Sequence, residues 1–119
     1  MIKTAGIADV IGEALSALKD KINLAFVYGS VVEGTDTAAS DIDLLVIGRV
    51  SLREVVSELE EAQDLIGREI NPIVYRVDEF NKKLRANHHF VNSVYRASKI
   101  FVIGDESELK GLAEKGLAD

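Results

Sequence analysis

The sequence predicts an α+β fold, a mixed β-sheet of about four strands with helices packed mainly on one face. Two observations lead to this prediction. Short apolar segments that could form strands alternate with segments whose apolar residues recur at helical spacing. The loop between the first two apolar segments is too short for the crossover helix that joins parallel neighbours. A mixed sheet therefore fits better than a doubly wound parallel sheet.

Length and composition indicate one small globular domain. At 119 residues, 47% of them hydrophobic, the chain can form one core, and we expect a single domain over residues 1–119. No apolar run is long enough to span a bilayer, and the first residues lack a secretory-signal pattern. Because there is no cysteine, we expect no disulfide or thiolate metal site, and a cytoplasmic location is compatible with that composition.

The chain is acidic, with a formal net charge of −6. An acidic surface repels phosphate backbones, so we do not expect non-specific binding to nucleic acid. If a polyanion binds, divalent cations or a local basic cluster must offset that repulsion.

The first half of the chain predicts one helix and two strands. Apolar residues at helical spacing indicate a helix of about four turns; they are Ile7, Val10, Ile11, Ala14, Leu15 and Leu18. The continuous apolar segment Leu24–Tyr28 is typical of a strand buried on both faces, and it ends at Gly29 and Ser30. A loop follows, and residues 41–48 are the predicted second strand.

The next segment predicts a helix and an edge strand. Ser51 and Glu54 have the spacing of a capping box, and Gly67 is well placed to end the helix that they begin. Residues 68–77 are a predicted third strand. Because Pro72 cannot donate a ladder hydrogen bond, this strand should be an edge or carry a bulge.

The last third predicts three helical segments and one strand. We expect a short helix from a cap at Asp78 to Leu84, and a second one that contains Phe90, Val91, Val94 and Tyr95. Residues 99–104 are the predicted fourth strand. Asp105, with Glu108 three residues on, resembles the cap of a final helix.

Two aspartates at the start of the second strand need an explanation. Residues two apart in a strand share a face, so Asp41 and Asp43 point the same way, roughly 7 Å apart. The simpler interpretation is that Asp41 caps a turn and Asp43 is a solvated residue at the end of a strand. The alternative is that divalent cations neutralise the pair, since Mg²⁺ prefers carboxylate oxygens and two-metal sites serve phosphoryl and nucleotidyl transfer.

The Gly29-Ser30 turn favours the second interpretation. Glycine after a strand permits a sharp turn and close approach of the backbone to a ligand. Ser30 offers a hydroxyl and an N–H group, and a short helical turn from Val31 would present further N–H groups to an anion. An ordinary strand-to-loop turn is the commoner meaning of Gly-Ser alone. The ordered combination of strand, Gly-Ser, loop and Asp-x-Asp is more specific than either half.

Gly-Ser followed by Ser-Asp-Ile-Asp-Leu-Leu-Val resembles the signature of the nucleotidyltransferase superfamily that includes DNA polymerase β. The resemblance is closest to the minimal bacterial and archaeal members and spans about residues 23–103. It implies the nucleotidyltransferase fold, with Gly29 and Ser30 as phosphate-binding residues. It also implies that Asp41 and Asp43 are catalytic ligands of a two-metal Mg²⁺ site, with a nucleoside triphosphate as substrate.

The third carboxylate of that family is where this sequence departs from the pattern. Relatives often read Gly-Arg-Lys-Val-Asp-Leu-Val, whereas this chain reads Gly-Arg-Glu-Ile-Asn-Pro-Ile. Asn71 stands in the aspartate's place and is a poor ligand for a hard metal. We favour Glu69 as the third carboxylate, on the same strand face. If Glu69 points elsewhere, the site keeps two carboxylates.

A second departure concerns phosphate charge. Relatives often carry arginine where this chain has Glu33. Triphosphate binding would then be weaker or would rely on Arg68, Arg76 or Lys99, among which the sequence does not choose.

The resemblance implies two functions. The first is Mg²⁺-dependent transfer of a nucleoside monophosphate, with AMP expected, from a nucleoside triphosphate to a hydroxyl acceptor, with release of pyrophosphate. The second is a regulatory or antitoxin module that binds an all-helical partner toxin. The chain also resembles the C-terminal half of regulators that carry a winged-helix domain upstream. We expect a hetero-partner or a homodimer, and no membrane association.

Overall fold

The computed structural model describes residues 4–37 and 39–118. The helices are α1 (Thr4–Ala14), α2 (Ser30–Glu33), α3 (Leu52–Ile66), α4 (Val77–Arg85), α5 (His89–Arg96) and α6 (Glu106–Ala118). A 3₁₀ segment, Leu15–Lys21, continues from α1. The strands are β1 (Ile22–Tyr28), β2 (Ile42–Gly48), β3 (Ile70–Tyr75) and β4 (Ile100–Ile103).

The four strands form one mixed sheet in the order β3-β2-β1-β4. Strand β1 is antiparallel to both β2 and β4, whereas β2 and β3 are parallel and are joined through α3. The predicted α+β class and four-stranded mixed sheet are confirmed. Because β1 and β2 are central, their middle residues are almost completely buried.

Helices cover both faces of this sheet, which differs from the expected arrangement mainly on one face. On the first face α1, the 3₁₀ segment and α3 pack on strand residues Ala25, Val27, Ile42, Leu44 and Val46. On the second face α4, α5 and α6 pack on Leu24, Phe26, Leu45 and Ile47. The physical reason is that both faces of the central strands are apolar, so each needs a helical layer to exclude water.

The capping interactions that the sequence predicted for α3 are present in the structure. The Ser51 hydroxyl accepts from the Glu54 N–H at 3.1 Å, and the Glu54 carboxylate accepts from the Ser51 N–H at 3.0 Å. Gly67 ends α3 with a φ of 77°, in the left-handed region that glycine adopts without strain. Strand β3, which contains Pro72, is an edge strand as predicted.

Two helix boundaries differ from the sequence prediction. The first helix ends as α-helix at Ala14 and tightens into the 3₁₀ segment, although the buried stripe continues through Leu15 and Leu18. Helix α4 begins one residue before Asp78, which lies in the first turn, and Arg76 occupies the N-cap position. The Asp105 side chain accepts from the Glu108 N–H at 2.8 Å, as expected for the last helix.

None of the helices within residues 4–37 and 39–118 is long and apolar enough to cross a membrane.

Gly48 provides a test of how closely the sheet packs on the segment before β1. A Cβ atom there would overlap the Lys21 carbonyl oxygen and lie 2.8 Å from Ile22 Cα, both backbone atoms that cannot rotate away. We expect Gly48→Ala to lower the free energy of unfolding by about 2 kcal/mol because of this overlap. Urea denaturation measures the change.

Gly111→Ala is the matched control, since a Cβ at this α6 position meets no atom within 4 Å. Alanine favours helix over glycine by up to about 1 kcal/mol, so this variant should be as stable as the wild type or more so. Equal stability of the two variants would contradict the close packing at Gly48.

Candidate functional site

Three chain segments meet at one end of the sheet. Because β1 runs antiparallel to β2, and β2 parallel to β3, the end of β1 lies beside the starts of the other two strands. The register places Tyr28 opposite Asp43, and Asp43 beside Asn71. The fold therefore brings the Gly-Ser turn next to the aspartate pair, two features separated by ten residues of sequence.

Gly29 packs directly against the Asp43 carboxylate. Its backbone has φ 83° and ψ −153°, a region that is essentially restricted to glycine. A Cβ at this position would lie 2.6 Å from Asp43 Oδ2. Glycine is thus required at position 29 for two reasons: the backbone conformation is one that other residues rarely adopt, and the Asp43 carboxylate occupies the space that a Cβ atom would need.

The Asp43 carboxylate sits in an unfavourable electrostatic position. It is half-buried, whereas Asp41, just before β2, is exposed. Burial raises the pKa of Asp43 above its ordinary value, and the neighbouring charge of Asp41 raises that pKa further. A bound cation would relieve both effects.

Asn71 is the residue that contacts the aspartate pair from β3. Its Nδ2 donates to Asp41 Oδ2 at 2.9 Å. Glu69 lies just before β3 and is exposed; its backbone carbonyl accepts from the Ile42 N–H at 2.9 Å. Within the described part of the chain, no three carboxylate or histidine side chains form a group suited to hold a metal. The structure therefore does not bring Glu69 together with Asp41 and Asp43.

Ser30 begins the single-turn helix α2 immediately after Gly29. The Gly29 carbonyl accepts from the N–H groups of Val32 and Glu33, at 3.0 and 3.1 Å, which fixes the turn. Gly34 closes the turn in the left-handed conformation, with a φ of 78°. The backbone reversal that the sequence predicted after β1 is therefore present.

The loop before β2 is attached to β3 by Arg68. The guanidinium donates from Nε to the Ser40 carbonyl at 2.7 Å and from Nη1 to Asp36 Oδ2 at 3.0 Å. The side chains of Arg68 and Asp36 are only 13% and 25% exposed, so solvent screens the ion pair less than a surface pair. This attachment orders the segment that leads into Asp41.

The basic residues considered for phosphate binding occupy three different places. Arg68 is used in the loop attachment. Lys99 donates to the carbonyls of Tyr95 and Ala97, each at 2.8 Å, and lies over the Phe26 ring. Arg76 follows β3 at the opposite end of the sheet from Asp43. Glu33 is exposed at the end of α2.

Tyr28 is a site residue whose role the sequence did not reveal. It lies opposite Asp43, and its ring packs edge-on against Phe90 of α5 with centroids 6.2 Å apart. Burial raises the pKa of Tyr28 to about 12, with further contributions from Asp43 and Tyr75. Its hydroxyl therefore stays neutral beside the aspartates at physiological pH. The sequence signal that could have identified Tyr28 was its position as the last residue of the predicted strand, directly before Gly29 and Ser30.

Comparison with known proteins identifies the family of this chain. Residues 11–107 match the sequence model of the family described as polymerase beta, nucleotidyltransferase. The chain belongs to this nucleotidyltransferase family. It is 35% identical over 83 residues to the Methanocaldococcus jannaschii protein named "Putative protein adenylyltransferase MJ0604", covering 66% of this chain and 83% of the relative.

Solved structures support the same fold. A chain of a toxin–antitoxin complex with AMP-PNP superposes with a TM-score of 0.65 at 18% identity, covering 93% of this chain and 84% of that one. A chain from the tri-AMPylated Shewanella oneidensis HEPN toxin in complex with MNT antitoxin gives a TM-score of 0.57 at 12% identity, covering 97% and 84%. At these identities the likeness concerns the fold alone.

The contact between Gly29 and Asp43 predicts a difference between two glycine substitutions. Gly29→Ala should lower the free energy of unfolding by about 3 kcal/mol, because the methyl group displaces the Asp43 carboxylate and the backbone becomes strained. Gly34→Ala meets no atom within 4 Å and has an ordinary left-handed φ, so it should cost about 1 kcal/mol. Urea denaturation of both variants measures the difference, and equal losses would contradict the close approach at Gly29.

Proposed function

We propose that this chain transfers AMP from ATP to a hydroxyl group on a partner protein, with Mg²⁺ as cofactor. Membership of the nucleotidyltransferase family supports the reaction class. The name of the 35% identical relative supports AMP and a protein acceptor. The observation that carries the proposal is the half-buried Asp43 beside Asp41, packed against the Gly-Ser turn.

The residues at the site fit a hard divalent cation. Two neighbouring carboxylates carry charge that no ion pair offsets among the described residues. Burial raises the pKa of Asp43, and the charge of Asp41 raises it further. Asp41 and Asp43 would hold Mg²⁺, which prefers such oxygens and keeps water and phosphate as its other ligands. When bound, the metal would supply neutralisation of the charge that develops on the triphosphate.

The Gly-Ser turn would receive the triphosphate. Gly29 has no side chain, so phosphate oxygens can approach the backbone beside Asp43. Ser30 would donate from its hydroxyl and N–H groups to the phosphate that leaves. The acceptor oxygen attacks the α-phosphorus, the bond to the β-phosphate breaks as pyrophosphate leaves, and the hydroxyl proton passes to water. Catalysis would come from positioning and charge neutralisation.

Asn71 would act as a positioning residue for Asp41, and the site would use two carboxylates. The hydrogen bond between Asn71 Nδ2 and Asp41 Oδ2 supports this version. Glu69 as a third carboxylate stays a prediction from the sequence.

A second candidate function is that of an antitoxin module that binds a helical toxin. The structural neighbours come from toxin–antitoxin complexes, in one of which the toxin is tri-AMPylated. The two functions are compatible, since a toxin hydroxyl could be the AMP acceptor. They differ in turnover, which the experiments below measure.

ATP binding at the aspartate pair should require both Mg²⁺ and Asp43. In calorimetric titrations we expect the wild type to show an ATP-binding event that requires Mg²⁺ and disappears in EDTA. In this Mg²⁺-dependent event Asp43→Asn should bind at least about tenfold more weakly, because the ligand charge is lost. Asp64→Asn, on the exposed face of α3, removes the same charge elsewhere and should bind as the wild type does. Equal affinity of wild type and Asp43→Asn would reject the proposed site.

Transfer should label a macromolecule of the native host. A lysate incubated with the wild type and ATP labelled at the α-phosphate should show a labelled protein band. ATP labelled at the γ-phosphate should leave the band unlabelled, since pyrophosphate departs with that label. Asp43→Asn should leave this band unlabelled with either ATP. A band labelled equally by wild type and Asp43→Asn would rule out transfer by this chain.

Substitutions of Asn71 on β3 and of Glu69 just before β3 test which residue supports the metal site beside Asp41 and Asp43. Asn71→Ala removes the donor to Asp41, and we expect Mg²⁺ affinity to fall about tenfold, as for outer-shell partners of metal ligands. Glu69→Gln should change that affinity by less than about threefold. Calorimetric titration with Mg²⁺ and ATP measures both. The reverse order would identify Glu69 as the third carboxylate.

A further inference from the structure

A second candidate site lies at the opposite end of the sheet from Asp43. A cleft of about 980 Å³ opens there, and the side chains that line it include Asp20, Lys21, Arg49, Arg76, Asp78 and Arg85. We name it the distal cleft. Its size is at the upper end of the range for small-molecule sites.

The cleft forms where the ends of β2 and β3 meet α4 and the 3₁₀ segment before β1. Strands β2 and β3 are parallel with Ile47 beside Tyr75, so Arg49 and Arg76 leave the same sheet end close together. Residues Asp78, Asn81 and Arg85 recur at helical spacing and line the cleft from one side of α4. The Arg49 N–H donates to the Lys21 carbonyl at 2.8 Å, and only glycine fits at position 48 against Lys21 and Ile22.

The charge of the cleft opposes that of the whole chain. Four basic and two acidic side chains line it, although the chain carries a net charge of −6. Lys21 pairs with Glu54 at 3.2 Å. Within the described part of the chain, Arg49, Arg76 and Arg85 form no ion pair. Three arginines at one concavity are a typical arrangement for phosphate, which guanidinium groups bind in a bidentate manner.

Acceptor groups in the same cleft narrow the class of ligand. Asn81 is 6% exposed and its Nδ2 donates to the Leu112 carbonyl at 3.0 Å, so its side chain is used inside the fold and the acceptors that remain in the cleft are carboxylates. Asp20 and Asp78 supply these carboxylates. Such acceptors favour a ligand that carries hydroxyl or amino donors next to its phosphate, because a bare phosphate would meet the carboxylates unfavourably.

We propose that the distal cleft binds a phosphorylated, hydroxyl-bearing small molecule of the nucleotide or sugar-phosphate class. Arg49 and Arg76 hold the phosphate, and the carboxylates of Asp20 and Asp78 receive the hydroxyl or amino groups. The site is independent of the Asp41–Asp43 pair and needs no metal. It stands whether or not the chain transfers AMP.

Calorimetric titration in EDTA tests this site without the metal-dependent one. The probes are ADP, ribose 5-phosphate and inorganic phosphate. We expect ADP or ribose 5-phosphate to bind more tightly than inorganic phosphate; binding of ADP alone indicates a nucleotide, and binding of both indicates a sugar phosphate. Asp43→Asn should bind the probe as the wild type does.

Substitutions separate the cleft from general surface charge. Arg49→Gln and Arg76→Gln should each weaken binding roughly tenfold, as for the loss of a charged hydrogen-bond partner. Lys82→Gln removes one positive charge from an exposed position of α4 outside the cleft and should leave affinity unchanged. The proposal is overturned if no probe binds, if the arginine variants bind as the wild type does, or if Lys82→Gln or Asp43→Asn loses binding equally.

Discussion

The close approach of Gly29 to the Asp43 carboxylate is the constraint on which the candidate site depends. It arises from the antiparallel register that sets Tyr28 opposite Asp43, so the turn after β1 meets the first residues of β2. The Asp43 carboxylate occupies space that a side chain at position 29 would fill, so the turn and β2 can meet this closely only with glycine there. Burial at this position raises the pKa of Asp43, and the neighbouring charge of Asp41 raises it further.

The rest of the structure keeps that end of the sheet in place. Helical layers on both faces bury the middles of β1 and β2, whereas Tyr28 and Asp43, opposite each other near this end, stay partly exposed. Arg68 attaches the preceding loop to β3, and Asn71 holds Asp41 from the same strand. Strands β2 and β3 thus carry Asp43 and Asn71, and the contacts of Arg68 and Asn71 hold the segment with Asp41 against them, an arrangement that positioning of a reacting phosphate requires.

The sequence predicted those features that depend on neighbouring residues. The Ser51–Glu54 capping box, the end of α3 at Gly67 and the edge position of Pro72 follow from local backbone chemistry. The aspartate pair could be placed at the start of a buried strand because alternation and burial are visible in the sequence.

What the sequence could not supply depends on contacts between distant residues. Arg68 and Asp36 are 32 positions apart, and Asn71 and Asp41 are 30 apart. Nothing in either local pattern indicates the pairing. The same holds for the placement of α4–α6 on the second face, because short amphipathic helices carry no signal of which sheet face they cover. The sequence left the third carboxylate uncertain because that assignment depends on which of the Glu69 and Asn71 side chains approaches Asp41 and Asp43.

Carbon-13 NMR titration of the Asp43 carboxyl, assigned by its loss in Asp43→Asn, tests the central claim most directly. The claim is that burial and Asp41 disfavour this charge until a cation neutralises it. Without divalent cations the Asp43 pKa should lie above the ordinary 3.8. Addition of Mg²⁺ and a non-hydrolysable ATP analogue should lower it. A pKa at or below 3.8 without metal, or one that Mg²⁺ and nucleotide leave unchanged, would contradict the account.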